Sequence, residues 1–305
     1  MRCLVMLFLL IPACDLFAQQ TVHVEYLVVE DMKWNNADTF PEPTDLNTLH
    51  ADLWIHSSGQ VYHEVKEGKT VDELIEEELD KGLEEVQEKM GKEIEAGNNN
   101  VHVNININIE EGKLKRETWL VFEGEYVVDF DTVSQERTMF VSYPAYCEPE
   151  SALKIAWKLF PNQKKKIANF TCYRAEGDFR GRRYVAWYCP ELPYPYGPWK
   201  LRGLPGLILE AYDSKRKVNF LFQSYSSTKE VQKQYEQLSG KVPRLPKDDC
   251  IDRETYLKAF GEGIKQWRRK LIATIGASSA DVSVRTDEEV KEMYREKDYA
   301  DYIPK

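Results

Sequence analysis

With 305 residues, 42% of them hydrophobic and 12% aromatic, the chain is long and apolar enough to bury a sizeable core. Its 51 acidic residues against 41 basic ones leave a net charge of −10, which argues against nucleic acid or an anionic membrane surface as partner.

The first residues, MRCLVMLFLLIPACDLFAQQ, read as a signal peptide over 1–18. Arg2 supplies the positive start, Leu4 to Ile11 the apolar run, Pro12 the break and Ala18 the small residue before the cut. The run is too short to span a bilayer, and no later segment is as apolar, so no transmembrane segment is expected in the mature chain. A lipoprotein acylated at Cys14 is the rival reading. Pro12 makes Ile11-Pro12-Ala13 a poor recognition site for it, and cleavage after Ala18 is preferred. The expected location is therefore across the inner membrane, in the periplasm or associated with the outer membrane. Four cysteines remain after cleavage, Cys147, Cys172, Cys189 and Cys250, and an oxidising compartment makes them candidate disulfide staples.

The mature chain, 19–305, reads as a single domain. Thr21 to Val29 alternates as a strand, and Thr48 to Ile55 with Gln60 to Val65 flank Ser57-Ser58-Gly59 as a hairpin. Val71, Leu74, Ile75, Leu79, Leu83, Val86, Met90 and Ile94 recur every three or four residues among acidic side chains. They predict an amphipathic helix capped by Thr70 and Glu73, an insertion near 70–97 whose apolar stripe is expected to pack on the chain's own sheet. Val101 to Ile109 alternates strictly as a further strand, with His102 and three asparagines on its polar face. Trp119 to Phe122, Tyr126 to Phe130 and Thr138 to Ser142 read as short strands, while Ser151 to Phe160 is ambiguous. Ile167 to Arg174 and Tyr184 to Tyr188 form a hairpin centred near Arg180, which sets Cys172 beside or nearly opposite Cys189 and allows a cross-strand disulfide. Leu207 to Tyr212 and Val218 to Tyr225 make another hairpin, and Leu257, Phe260, Ile264, Trp267 and Leu271 mark a C-terminal helix from near Asp252. Strands next to their sequence neighbours plus two helices predict an α+β fold: a mainly antiparallel, curved, half-barrel-like sheet with a long acidic helix and a C-terminal helix.

No nucleophile elbow, zinc-protease helix, phosphate loop or calcium loop is present, so no catalytic residue, metal or cofactor is assigned. His23, His50, His56, His63 and His102 all fall in the first third on predicted strands and could meet on one sheet face. Arg180, Arg182 and Arg183 cluster at a hairpin tip, where they would clamp an anion or make surface ion pairs.

The most distinctive stretch is FRGRRYVAWYCPELPYPYGPWKLRGLPGLILEAYD. It combines Arg180-Gly181-Arg182, Trp187, the stiff approach Gly197-Pro198-Trp199 and the turn Gly203-Leu204-Pro205-Gly206 leading into Leu207-Ile208. This run resembles the signature of the GLPGLI family, exported and uncharacterised proteins of two-membrane bacteria. The resemblance is clear from Lys166 to Phe222 and carries over no catalytic residue. It implies an exported envelope protein, and the absent catalytic motifs point to a non-catalytic binding or carrier-like role for an apolar ligand or another envelope protein. The alternatives are a metal-dependent or hydrolytic periplasmic enzyme and a structural component of an envelope assembly.

Overall fold

The computed structural model describes residues 20–30, 43–44, 47–57, 59–69, 71–96, 113, 115–123, 126–131, 145–245, 247–259, 261–262, 266 and 269. The expected strands over 101–109 and 138–142, Thr70, the signal segment, and the C-terminal helix residues Phe260, Ile264, Trp267 and Leu271 lie outside them.

Eleven strands form one antiparallel sheet. In chain order they are β1 (Val22–Glu30), β2 (Thr48–His56), β3 (Gly59–Lys66), β4 (Arg116–Glu123), β5 (Tyr126–Asp131), β6 (Ala145–Pro149), β7 (Lys158–Ile167), β8 (Phe170–Phe179), β9 (Arg182–Cys189), β10 (Leu207–Asp213) and β11 (Val218–Ser226). Across the sheet they run β6-β5-β4-β3-β2-β1-β11-β10-β9-β8-β7. Two meanders, one from each half of the chain, are thus stitched together where Tyr26 of β1 pairs with Phe222 of β11. The helices are α1 (Val71–Glu95), α2 (Lys229–Ser239) and a short helical run over 253–259.

This corrects the expected α+β fold with its half-barrel-like sheet. The chain is predominantly β, and its one sheet stays open without closing into a barrel. Among the described residues the helices are few and short of a full layer, with Lys229–Ser239 packing on one face of the sheet. Helix α1 leaves and returns between the paired strands β3 and β4, buries Leu74, and leaves Leu83, Met90 and Ile94 exposed instead of packing them on the sheet. Amphipathic spacing tells which stripe of a helix is apolar, not what covers it. Helix α2, which the sequence reading missed, carries the signals for one: Thr228 accepts from the Val231 N–H as an N-cap, and Val231, Tyr235 and Leu238 share a face.

The sheet cannot be flat. Eleven strands spaced about 4.8 Å apart would set the edges roughly 48 Å from one another. Yet β6 ends at Pro149 and β7 starts at Lys158, a step that reaches at most about 32 Å. The sheet therefore bends around its inner face, where Val24, Tyr26, Leu53, Tyr62, Leu120, Val127, Tyr184 and Phe220 form the main core. A smaller cluster of Trp54, Val61, Trp119, Val121 and Val128 lies on the outer face, packed against Val231, Tyr235 and Leu238 of α2.

Both edges are protected against pairing with other chains. Edge strand β7 reads KLFPNQKKKI, with a proline and exposed lysines that disfavour further strand addition. Edge strand β6 is five residues long, and the C-terminal segment lies along it: the Cys147 N–H donates to the Ile251 carbonyl at 2.9 Å, and Cys147 bridges Cys250 with Cα atoms 5.5 Å apart.

The ambiguous stretch Ser151 to Phe160 resolves into a 3-10 turn (Glu150–Leu153) and the start of β7. β7 continues to Ile167, and a two-residue turn at Ala168-Asn169 starts β8, so the strand expected from Ile167 is two strands meeting there.

The disulfide closes a separation of 103 residues, for which the chain-entropy account gives about 4.7 kcal/mol. Reducing it, or substituting Cys250→Ser, should lower the denaturant midpoint and steepen the slope, because the freed unfolded chain exposes more surface. Equilibrium urea unfolding with and without reductant checks this, and equal midpoints would contradict it.

Candidate functional site

The signature stretch forms a strap across the inner face. After β9 the chain passes through 190–206 and re-enters the sheet as β10. The Leu207 N–H donates to the Leu192 carbonyl and the Ile208 N–H to the Tyr196 carbonyl, both at 2.9 Å, so the strap is tied to its own exit. The Tyr26 hydroxyl donates to the Ile208 carbonyl at 2.7 Å and ties it to the sheet's centre. Leu201, Leu204, Leu207, Ile208 and Leu209 are buried. The Trp199 ring, at φ 53°, meets Phe179 edge-on at 5.6 Å and Phe220 face-on at 6.5 Å.

Two glycines explain why the motif is spelled as it is. A Cβ on Gly206, held at φ +146°, would lie 2.2 Å from the Cys189 carbonyl oxygen. One on Gly197 would lie 2.7 Å from Ile208 Cβ and 2.8 Å from the Leu201 carbonyl oxygen. In both places backbone approaches backbone with no room for a side chain. Gly203, in the strap between them, is set by its backbone instead: it sits at φ +87° with open space where a Cβ would lie, and Pro198 and Pro205 flank it.

The strap also carries charge inward. Lys200 is fully buried, with Nζ 2.8 Å from Asp129 Oδ2 and 2.9 Å from Glu148 Oε1, and it donates to the Tyr146 hydroxyl at 2.7 Å. Tyr146 donates in turn to Asp129 at 2.5 Å. Arg180, from the β8–β9 turn, pairs with the other oxygen of Glu148. Two cations from the signature thus meet two carboxylates from β5 and β6, a charge-balanced set. Arg202 follows the same plan, pairing with Glu150 and lying 4.9 Å above the Phe122 ring, while burial depresses its pKa.

The remaining signature residues do similar work. Arg180 and Gly181 both have positive φ and form the two-residue turn that pairs Phe179 with Arg182. Arg182 is buried and donates to Asp213 at 3.0 Å, and Asp213 also accepts from the Lys217 and Val218 N–H groups. Arg183 donates to Glu176 at 2.8 Å. The arginine cluster is therefore engaged with carboxylates rather than presented to an anion. Trp187 lies beneath Lys165, 4.6 Å from its ring. Cys172 and Cys189 are buried thiols in contact, with burial pushing Cys172 up to about 12 and Cys189 upward as well. Such thiols are poor nucleophiles at neutral pH.

The outer face gathers the histidines. His23 stacks on Trp54 with centroids 3.9 Å apart and lies 2.7 Å from Asp52. His63 stacks on Trp119 at 3.6 Å and lies 3.1 Å from Glu117. Burial pushes the Glu117 pKa upward, but bonds from Trp119 and His63 outweigh it and hold the carboxyl below its usual range. His56 sits under Tyr235 of α2, its Nε2 2.5 Å from the hydroxyl, and burial lowers its pKa. His50 is on the same strand as His56 and exposed; His102 lies outside the described residues.

A family model described as "Protein of unknown function (Porph_ging)" matches residues 178–210, the turn, strand and strap just described. No curated protein matches the chain. Among solved structures, "Structure of PNGF-II in C2 space group" is 12% identical with TM-score 0.40, covering 80% of this chain and 33% of that one. "Structure of PNGF-II in P21 space group" is 13% identical with TM-score 0.40, covering 80% and 34%. The chain spans about a third of that protein, and a likeness of this size supports no functional reading.

Sequence reasoning missed Lys200, Arg202, Asp129 and Glu148. The signal was present: Lys200 and Arg202 interrupt an apolar motif two residues apart, and Asp129 and Glu148 fall at inward positions of strands whose inward neighbours are Val127 and Tyr146.

Two outcomes follow. Gly206→Ala should destabilise the fold far more than an ordinary surface change, whereas Gly91→Ala, where a Cβ meets nothing within 4 Å, should not; thermal unfolding of both variants decides. For His56 the folded pKa is below the ordinary 6.5, so under pH 6.5 the unfolded chain takes up a proton that the folded chain refuses. Stability should fall as pH drops through that window, with a smaller fall in His56→Gln.

Proposed function

We propose that this chain is an exported envelope protein of the GLPGLI type that binds another protein rather than transforming a substrate, with α1 as its docking element. The observation that carries this reading is the apolar stripe on α1, where Leu83, Met90 and Ile94 are 47%, 42% and 61% exposed. At about 100° per residue these three lie within a narrow arc, with Leu79 and Val86 beside them. Isolated exposed apolar residues are ordinary on a surface, but an aligned row along one face of a helix has the form of a helix-in-groove ligand.

The charge on α1 defines the occupant. Eleven acidic residues stand against three lysines, so the groove that receives the stripe must be apolar in its floor and rimmed with lysine or arginine. Ion pairs within the helix, such as Lys81–Glu77 at 2.9 Å and Lys92–Glu88 at 2.5 Å, keep it helical before it docks. The inner face favours a protein partner over an enclosed apolar ligand, since Trp199, Leu201 and Leu204 of the chain's own strap occupy it. Export is supported by the signal-like start, Arg2 followed by Leu4 to Ile11, and by the resemblance of the stretch around Gly203 to Ile208.

Photo-crosslinking residues placed singly at Leu83, Met90 and Ile94 in the producing cell should give the same discrete adduct. The same probe at Glu88 or Lys92, on the far side of the helix, should give none. A shared adduct whose formation falls at high salt supports the reading; an adduct of two copies of this chain, or none from the stripe, overturns it. Fractionation that leaves the protein in the cytoplasm would overturn the export half separately.

A further inference from the structure

The outer face holds one group of side chains that neither the core nor the docking helix uses. Strand β1 places His23 and Glu25 two residues apart, hence on the same face. On β2, Trp54 lies directly opposite His23 and Asp52 directly opposite Glu25. The His23 ring lies on the Trp54 indole with an interplanar angle of 10°, which fixes the plane of the imidazole. Its Nε2 points at Asp52 Oδ1, 2.7 Å away. The Ser224 hydroxyl, from β11, donates to Glu25 at 2.5 Å and restrains that carboxylate from the other side. One nitrogen of His23 and one oxygen each of Glu25 and Asp52 lie within 4.8 Å of one another.

We propose that His23, Glu25 and Asp52 form a divalent transition-metal site, of the class that binds Zn2+ through one imidazole and two carboxylates. Charge, donor chemistry and geometry support it. Two carboxylates brought this close with one imidazole leave excess negative charge, which a divalent cation neutralises. The donor set matches zinc, which takes imidazole nitrogen at about 2.0–2.1 Å and carboxylate oxygen at about 2.0–2.2 Å. To hold the ion, the His23–Asp52 hydrogen bond of 2.7 Å opens to the roughly 3.3 Å between ligands of a tetrahedral zinc, and Glu25, on a long exposed side chain, closes in. The indole under His23 fixes the plane of the ring, and the Ser224 hydroxyl restrains the Glu25 carboxylate. Asp52 is half-buried and Glu25 exposed, so water or an oxygen of an outside ligand would complete the coordination.

The neighbouring His63–Glu117 pair is the internal contrast. It also stacks on a tryptophan, but it offers one carboxylate, and the Trp119 N–H at 2.9 Å already occupies the oxygen that faces His63.

The test is calorimetric titration of chelator-treated full-length protein with Zn2+ at pH 7. The expected result is one equivalent bound in the micromolar range. Affinity should fall by about tenfold or more in His23→Ala, Asp52→Asn and Glu25→Gln. Glu25→Gln is isosteric at an exposed position and keeps the fold, which circular dichroism verifies. His50→Ala and His63→Ala should bind as the parent does. The site is overturned if the parent binds no zinc in that range, or if His50→Ala or His63→Ala weakens binding as much as His23→Ala does. The second result would mean adventitious coordination by surface histidines.

Discussion

A lysine with no solvent exposure, held between two carboxylates and a tyrosine hydroxyl, is the constraint on which the two halves of this protein depend. Lys200 enters from the strap that follows β9, while Asp129 and Glu148 come from β5 and β6, at the opposite end of the sheet. Taking these charges out of water costs several kcal/mol per ion, offset only while every partner is in place. Losing one partner of such a set costs roughly 3–5 kcal/mol, because it strands the other charge. The set therefore acts less as a source of net stability than as a device that admits one arrangement. Arg180, on the other oxygen of Glu148, completes the same set.

From that constraint the division of labour between surfaces follows. The inner face is committed to folding, for the strap, its aromatic plug and its buried ions occupy it. The edges are blunted by the lysines of β7 and by the disulfide-tied segment along β6. The outer face carries the histidine–carboxylate pairs, and α1 carries the exposed row Leu83, Met90 and Ile94. The signature resembling a known family is thus a folding element. A motif can be distinctive while its chemistry is wholly structural.

Much of the sheet was legible in the sequence. Alternation gave β1, β2, β3, β4 and β5 to within a few residues, and the Arg180-Gly181 turn and both hairpins of β8 to β11 came from turn chemistry. The fold class was not legible, because the spacing of Leu83, Met90 and Ile94 describes a stripe and not its cover. β7 was only half legible: Ser151 to Phe160 is ambiguous between helix and strand, and Pro161 and the lysines that follow give no alternation to mark an edge strand. The histidines of β1, β2 and β3 were expected to share a face, and alternation alone puts them there. Their stacking on Trp54 and Trp119 needs strand register, which no local pattern specifies. Pairing of Lys200 with Asp129 and Glu148 likewise joins residues far apart in sequence whose only local mark is a charge at an inward position.

The most direct measurement is amide hydrogen exchange, strand by strand, on the parent and on Lys200→Met. If Lys200 clamps the far half of the sheet to the strap, the variant loses protection first in β5 and β6, while β1 and β9 to β11 remain protected. Unchanged protection in β5 and β6, or a loss spread evenly over all eleven strands, would contradict the account.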